Sequence, residues 1–213
     1  MILTLEGAPA TGKSFLAKAL VARGATRIAE VNELWHRPAE EAATWYLRRQ
    51  LDRYAMARAA QTAVSVLDGD CLQPIWFGWL YPDRVGQSWQ YALRFFRDNS
   101  AYWGVPDQFV LVHVPEAVRV QRELGRSLQG GRSAARAQEK AQKYSAMAQN
   151  LALWFEAMSR AFPGLVSSLD NRNAPTGDGL IAKATRAAPC NRALLDWAED
   201  WLASHRPIGS PVF

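Results

Sequence analysis

Residues 1–23 read MILTLEGAPATGKSFLAKALVAR, and the middle of that stretch decides the fold. The run ILTLE (2–6) has the length and aliphatic content of a buried strand, and SFLAKALVAR (14–23) spaces its apolar residues as a helix does. Between them, Gly7-Ala8-Pro9-Ala10-Thr11-Gly12-Lys13-Ser14 matches G-x-x-x-x-G-K-[ST]. A strand running in and a helix running out are the context that this motif needs. Gly7 and Gly12 permit the tight turn and a close backbone approach. The loop N–H groups and the helix N-terminus then face an anion. Lys13 reaches the β- and γ-phosphates of a nucleotide, and the Ser14 hydroxyl offers a ligand to Mg²⁺. A bare glycine turn accounts for the glycines but leaves Lys13-Ser14 without a packing role. The nucleotide contacts assigned from the motif are Gly7, Ala8, Pro9, Ala10, Thr11, Gly12, Lys13, Ser14 and Phe15.

Outward from the loop, short Val/Leu/Ile-rich runs at 27–31, 63–68, 109–114 and 165–169 alternate with helical patterns. The helical stretches are 40–61, 87–102 and 116–161, the last divided at Gly130-Gly131, and a final amphipathic piece, Asn191–Ser204. Strands alternating with helices predict an α/β fold of three layers around a central five-stranded parallel sheet. Residues 71–84, rich in aromatics and holding Pro74 and Pro82, read as loop. Residues 171–189 also read as loop, and the tail from His205 onward, with two prolines, as a fraying end.

With 213 residues, 49% of them hydrophobic and 21% charged, the chain fits one globular domain spanning 1–213, large enough to need no disulfide or metal staple. No apolar run approaches the ~18 residues of a membrane span. The start lacks a charged n-region and a cleavage site, so a cytoplasmic protein is expected. Cys71 and Cys190 show no pairing pattern, and His36, His113 and His205 no metal-ligand spacing. The net charge is +5, and residues 117–143 carry seven basic against two acidic side chains, an excess equal to that of the whole chain. So local a cluster argues against nucleic acid and for a small anionic ligand. Arginine outnumbers lysine 20 to 5, which suits planar contacts to phosphate.

Given the phosphate loop and this layout, the sequence resembles the small P-loop kinases: deoxynucleoside kinases, nucleoside-monophosphate kinases and antibiotic phosphotransferases. The resemblance covers most of the chain in layout, and its specific motif is the phosphate loop. RIAEVNELW (27–35) resembles the Glu-bearing strand end of deoxynucleoside kinases, which implies that Glu30 meets the substrate hydroxyl. VSVLDGD (64–70) falls where those kinases carry acid-Arg-Ser; Asp68 matches the acid, and Gly69 and Asp70 depart from the rest. In open parallel sheets ligands sit beyond the carboxyl ends of the strands, where Glu30, Asp68 and Asp70 all fall. One carboxylate is needed to take the acceptor's proton and another near Mg²⁺. Glu30 is assigned the first role and Asp68 the second, as a metal residue with Ser14; Asp70 is the substitute for either.

The helix after Glu40 lines the acceptor site in the resembling kinases, which implies roles for Tyr46, Gln50 and Arg53; Trp35 and Trp76 are added as a flat aromatic lining. Each of these has a blander reading as core or solvated face. The basic segment is read as a helical, Arg-rich lid within 117–143, with Arg122, Arg126 and Arg132 on the phosphates. The resemblance places residues 171–175 against the adenine. The expectation is an ATP- and Mg²⁺-dependent phosphotransferase acting on a hydroxyl of a small molecule, nucleoside-like or antibiotic-like, with no nucleic acid or membrane partner and a homodimer left open. The alternative is a nucleotide-dependent ATPase or switch acting on a macromolecule. Against it, there is no N-K-x-D motif, and LDGD is not a strand ending in consecutive acids.

Overall fold

The computed structural model describes residues 1–40, 42–82, 88–172 and 188–209. Five strands form one parallel sheet in the order β2-β3-β1-β4-β5. They are β1 (Ile2–Glu6), β2 (Thr26–Ile28), β3 (Ser65–Asp68), β4 (Gln108–His113) and β5 (Val166–Asp170). Eight helices lie among the described residues: α1 (Lys13–Val21), α2 (Val31–Leu34), α3 (Trp45–Ala59), α4 (Gln73–Leu80), α5 (Trp89–Asp98), α6 (Glu116–Gln129), α7 (Ala134–Ala161) and α8 (Asn191–Ser204).

The sheet is covered on both faces because its central strands are apolar on both. Leu3 and Leu5 of β1, Val66 of β3 and Val110 and Val112 of β4 pack under Leu16, Ala17 and Leu20 of α1. The opposite face, with Leu67 and Phe109, packs on a larger core from α3, α4, α5, α7 and α8 that includes Trp76, Phe96, Leu151, Trp154 and Phe155. Parallel strands buried on both sides need such continuous aliphatic runs. The strand at the centre, β1, pairs Leu5 with Asp68 of β3 and with Val110 of β4. The chain moves to β2 and β3 on one side of β1 and to β4 and β5 on the other. That places a crevice beyond the carboxyl end of β1, where open α/β sheets bind ligands.

Three expectations change. The second strand stops at Ile28 and not at 31; Val31 opens the short α2, with Glu30 in extended backbone just before it. Residues 73–80 are helix, not loop. Pro74 falls in the first turn of α4, where a missing N–H costs nothing, and Pro82 lies beyond its end. The tail does not fray as far as it is described. Ile208 N–H donates to Asn150 Oδ1 at 2.8 Å, Asn150 Nδ2 returns a bond to Ile208 O at 3.1 Å, and the Trp79 indole donates to His205 O at 3.0 Å. Residues 210–213 lie outside the described residues.

Candidate active site

The phosphate loop follows β1 directly, and its backbone explains its glycines. Gly7 has φ +150°, and a Cβ there would stand 2.2 Å from the Val112 carbonyl oxygen of β4. Gly12 has φ +92° as the N-cap of α1, and a Cβ would stand 2.4 Å from Asn171 Nδ2. That amide donates to Thr11 O at 2.8 Å while the Thr11 hydroxyl donates to Ala8 O at 2.9 Å, so the turn is held from inside and from below. Lys13 Nζ donates to Gly7 O at 2.6 Å.

Two adjoining cavities open over this loop. The first, about 470 Å³, is lined by Pro9, Ala10, Gly12, Lys13, Ser14, Phe15, Glu30, Arg122, Arg126 and Tyr144. The second, about 200 Å³, is lined by Glu6, Gly7, Pro9, Lys13, Glu30, Gln73, Trp76, Phe77, Lys143, Tyr144 and Met147. Pro9, Lys13, Glu30 and Tyr144 belong to both. An exposed carboxylate, an ammonium and a phenol thus stand where the cavities meet.

Of the residues assigned from the sequence, the structure brings together the phosphate loop, Ser14, Phe15, Glu30, Trp76, Arg122 and Arg126. The exposed Ser14 hydroxyl makes no hydrogen bond among the described residues, and so stays available to a ligand. Arg122 approaches Asn171 O at 3.4 Å, and Arg126 pairs with the fully buried Glu123, which also holds Lys140 Nζ at 2.8 Å.

Other assigned residues line neither cavity. Asp68 is fully buried, and its Oδ2 takes two bonds from Arg27, at 3.0 and 2.7 Å; it ties β3 to β2. Gln50 and Arg53 are buried against the strand ends. Arg53 Nη1 donates to Gln50 Oε1 at 2.7 Å, its Nε to Ala29 O at 2.8 Å, and its Nη2 to Asp68 O and Gly69 O at 2.8 and 2.9 Å. Arg53 therefore fixes the backbone just before Glu30 and around Gly69, and it lines neither cavity. Replacing it with Met strands three buried carbonyls at about 1–3 kcal/mol each. Arg53→Met is expected to lose roughly 3–5 kcal/mol in urea unfolding, and a loss below about 1 kcal/mol would contradict this bracing role. Trp35 lies under the Arg49 guanidinium, 5.2 Å from its ring centre. Tyr46 reaches the site through another residue: its hydroxyl donates to Gln73 Oε1 at 2.9 Å. Arg132 is exposed on the turn between α6 and α7. Asn171 is buried and its amide sits on the phosphate loop, bonded to Thr11 O; residues 173–175 of that assignment lie outside the described residues.

Asp70 is buried beside Glu6, whose Oε2 accepts its N–H at 3.0 Å; its own Oδ1 accepts Leu72 N–H at 2.9 Å. Burial first, then the Glu6 charge, push its carboxyl up to about 7. Burial also raises Glu6, with the Lys13 charge opposing it. A folded carboxyl titrating near 7 keeps a proton that the unfolded chain has released. This group's contribution is therefore most favourable below about pH 4 and is lost as pH rises to about 7. Asp70→Asn is expected to flatten part of that decline in thermal unfolding followed against pH, with Glu6 supplying the rest. An unchanged slope would contradict the assignment.

Glu6, Gln73, Tyr144 and Met147 escaped the sequence reading, which held Phe77 only within the aromatic segment 71–84 and Lys143 only within the basic segment 117–143. Glu6 is the last residue of a strand, where alternation made it one more strand position. Gln73, Trp76 and Phe77 share a face at i, i+3 and i+4 only once 73–80 is read as helix. Lys143, Tyr144 and Met147 come to the smaller cavity from α7, where 143 and 144 lie one turn before 147.

A five-stranded parallel sheet in this order, with a phosphate loop between its central strand and the first helix, defines the P-loop α/β fold. Its likeness extends to solved nucleoside kinases. A deoxyadenosine kinase from M. mycoides with bound dATP superposes with a TM-score of 0.52 at 15% identity, over 85% of this chain and 97% of that one. The same enzyme with bound dCTP gives 0.49 at 16% identity, over 85% and 97%. At that identity the likeness is one of fold. No family model matches the chain, and no curated protein sequence does. No helix among the described residues is long and apolar enough to cross a membrane.

Proposed function

We propose that the protein is an ATP-dependent phosphotransferase that moves the γ-phosphate to a hydroxyl of a small molecule, nucleoside-like or antibiotic-like. The observation that carries this reading is the shared wall: Lys13 and Glu30 face both a phosphate-loop cavity and an aromatic one. The larger cavity takes the triphosphate, with the loop N–H groups, Lys13, Arg122 and Arg126 on its oxygens. The smaller one takes the acceptor, with Trp76, Phe77, Tyr144 and Met147 around its body.

Glu30 accepts the proton of the acceptor hydroxyl as that oxygen bonds to the γ-phosphorus and the bond to the β,γ-bridging oxygen breaks. Lys13 meets the charge that spreads over the phosphoryl oxygens. Arg132, on the turn joining α6 to α7, joins Arg122 and Arg126 when that turn closes over the nucleotide. The donor set at Ser14 fits Mg²⁺, a hard cation that takes one or two protein oxygens beside phosphate oxygens and water. Bound there, the ion would neutralise charge on the β- and γ-oxygens. Asp68 has its Oδ2 on Arg27 and its Oδ1 without a partner among the described residues, so Oδ1 is the atom it would turn to the ion.

The test is mass spectrometry of pooled nucleosides, nucleoside monophosphates and hydroxyl-bearing antibiotics after incubation with Mg-ATP and the protein. One compound heavier by a phosphoryl group, unshifted with Lys13→Ala, is the expected result. ATP bound with no compound shifted moves the reading to an ATPase that serves a macromolecule.

A further inference from the structure

The smaller cavity is chemically lopsided. α4 turns Gln73, Trp76 and Phe77 toward it from one side, and α7 turns Tyr144 and Met147 from another. At about 200 Å³ it falls below the ~300–1,000 Å³ of sites for drug-sized ligands. Its walls leave room for one flat ring system.

The α4 wall carries two polar groups, the Trp76 indole N–H and the Gln73 amide, and the amide oxygen is already bonded. The Tyr46 hydroxyl donates to Oε1 at 2.9 Å. Burial pushes the Tyr46 phenol up to about 12, so it keeps the proton that it donates here through the neutral range. With Oε1 taken, Nε2 remains, and it makes no hydrogen bond among the described residues. An amide held in this way has both N–H donors still unpaired, while its oxygen has already accepted one bond. Gln50, the amide that the sequence pointed to, cannot serve: it is fully buried and its Oε1 is bonded by Arg53.

We propose that Gln73 reads the acceptor, and that the acceptor is a flat ring bearing a hydrogen-bond acceptor, such as a carbonyl, a nitro group or a ring nitrogen, against the Gln73 amide. Tyr46 is the positioning residue that keeps the amide in this sense. The inference rests on the reading of the smaller cavity as the acceptor site. It adds that on the α4 side the ring is selected by what it accepts, away from the Glu6 and Glu30 carboxylates of the same cavity.

Two probes separate these chemistries. 4-Nitrobenzyl alcohol and 4-aminobenzyl alcohol share ring and hydroxyl; the first presents only acceptors opposite the hydroxyl, the second chiefly donors. Each is titrated into the full chain without nucleotide, with binding followed by saturation-transfer NMR. The wild-type protein is expected to bind the nitro compound about tenfold more tightly, the worth of one well-made hydrogen bond against an unpaired group. In Gln73→Glu, Tyr46 still caps one oxygen and the other now accepts, so the preference inverts toward the amine. In Tyr46→Phe the amide is free to turn, and the ratio narrows to about twofold. Thermal unfolding checks that each variant is folded, and the Tyr46→Phe arm decides if Gln73→Glu is not. An unchanged ratio in the folded variants, or no saturable binding of either ring to the wild type, overturns the proposal. An inverting ratio with no phosphoryl transfer to any hydroxyl supports the ring reading and overturns the phosphotransferase.

Discussion

Lys13→Ala is expected to lower phosphoryl transfer by at least ~10³ while shifting stability by no more than about 1 kcal/mol. The two numbers differ because the lysine does little for the fold. Its Nζ makes a 2.6 Å bond to Gly7 O, the net worth of which is that of an ordinary hydrogen bond. In the reaction it is a full positive charge on the wall common to both cavities, placed where negative charge accumulates. Lys13→Arg is no rescue, since a planar fork does not reproduce a point charge within a tight loop. Steady-state transfer measured beside urea unfolding checks both numbers. Transfer within tenfold of wild type would remove the phosphate-loop assignment.

Glu30→Gln is expected to slow transfer by a factor on the order of 10²–10⁴ and to leave ATP affinity within about twofold. The carboxylate is exposed and faces both cavities, so the amide fits the same space and loses only the ability to take a proton. Its backbone is set from behind, because Arg53 holds the carbonyls of Ala29, Asp68 and Gly69. Single-turnover transfer paired with isothermal titration of ATP separates the two effects. A collapse of ATP binding would make Glu30 part of the nucleotide site and leave the base unassigned.

The features that were readable in the sequence are those with local causes. β1 runs Ile2–Glu6 and α8 runs Asn191–Ser204, as the apolar patterns predict, because each pattern meets an opposing core. The phosphate loop was legible since its glycines and its Lys-Ser pair act within eight residues. Glu30 was legible as an acid at a strand end. Gln50 and Arg53 misled for a physical reason. On a helix, polar residues at this spacing look like a wet face, and only tertiary structure supplies three unpaired carbonyls for an arginine to satisfy. For Asp68 the sequence hid a structural tie: Arg27, which holds its Oδ2, lies 41 positions away on the neighbouring strand. The 71–84 segment was hidden by its prolines, which read as loop punctuation although one suits the first turn of a helix. Glu6 and Tyr144 carry no local signal; they reach the site because β1 ends there and α7 passes over it.

The wall common to the two cavities has a consequence for inhibition. Molecules that fill one chamber each surrender their freedom to tumble and drift separately. A single compound bearing a polyphosphate on one arm and an accepting ring on the other would surrender that freedom once. Pro9, Lys13, Glu30 and Tyr144 mark where its two arms meet, and so they set how short the bridge between them has to be.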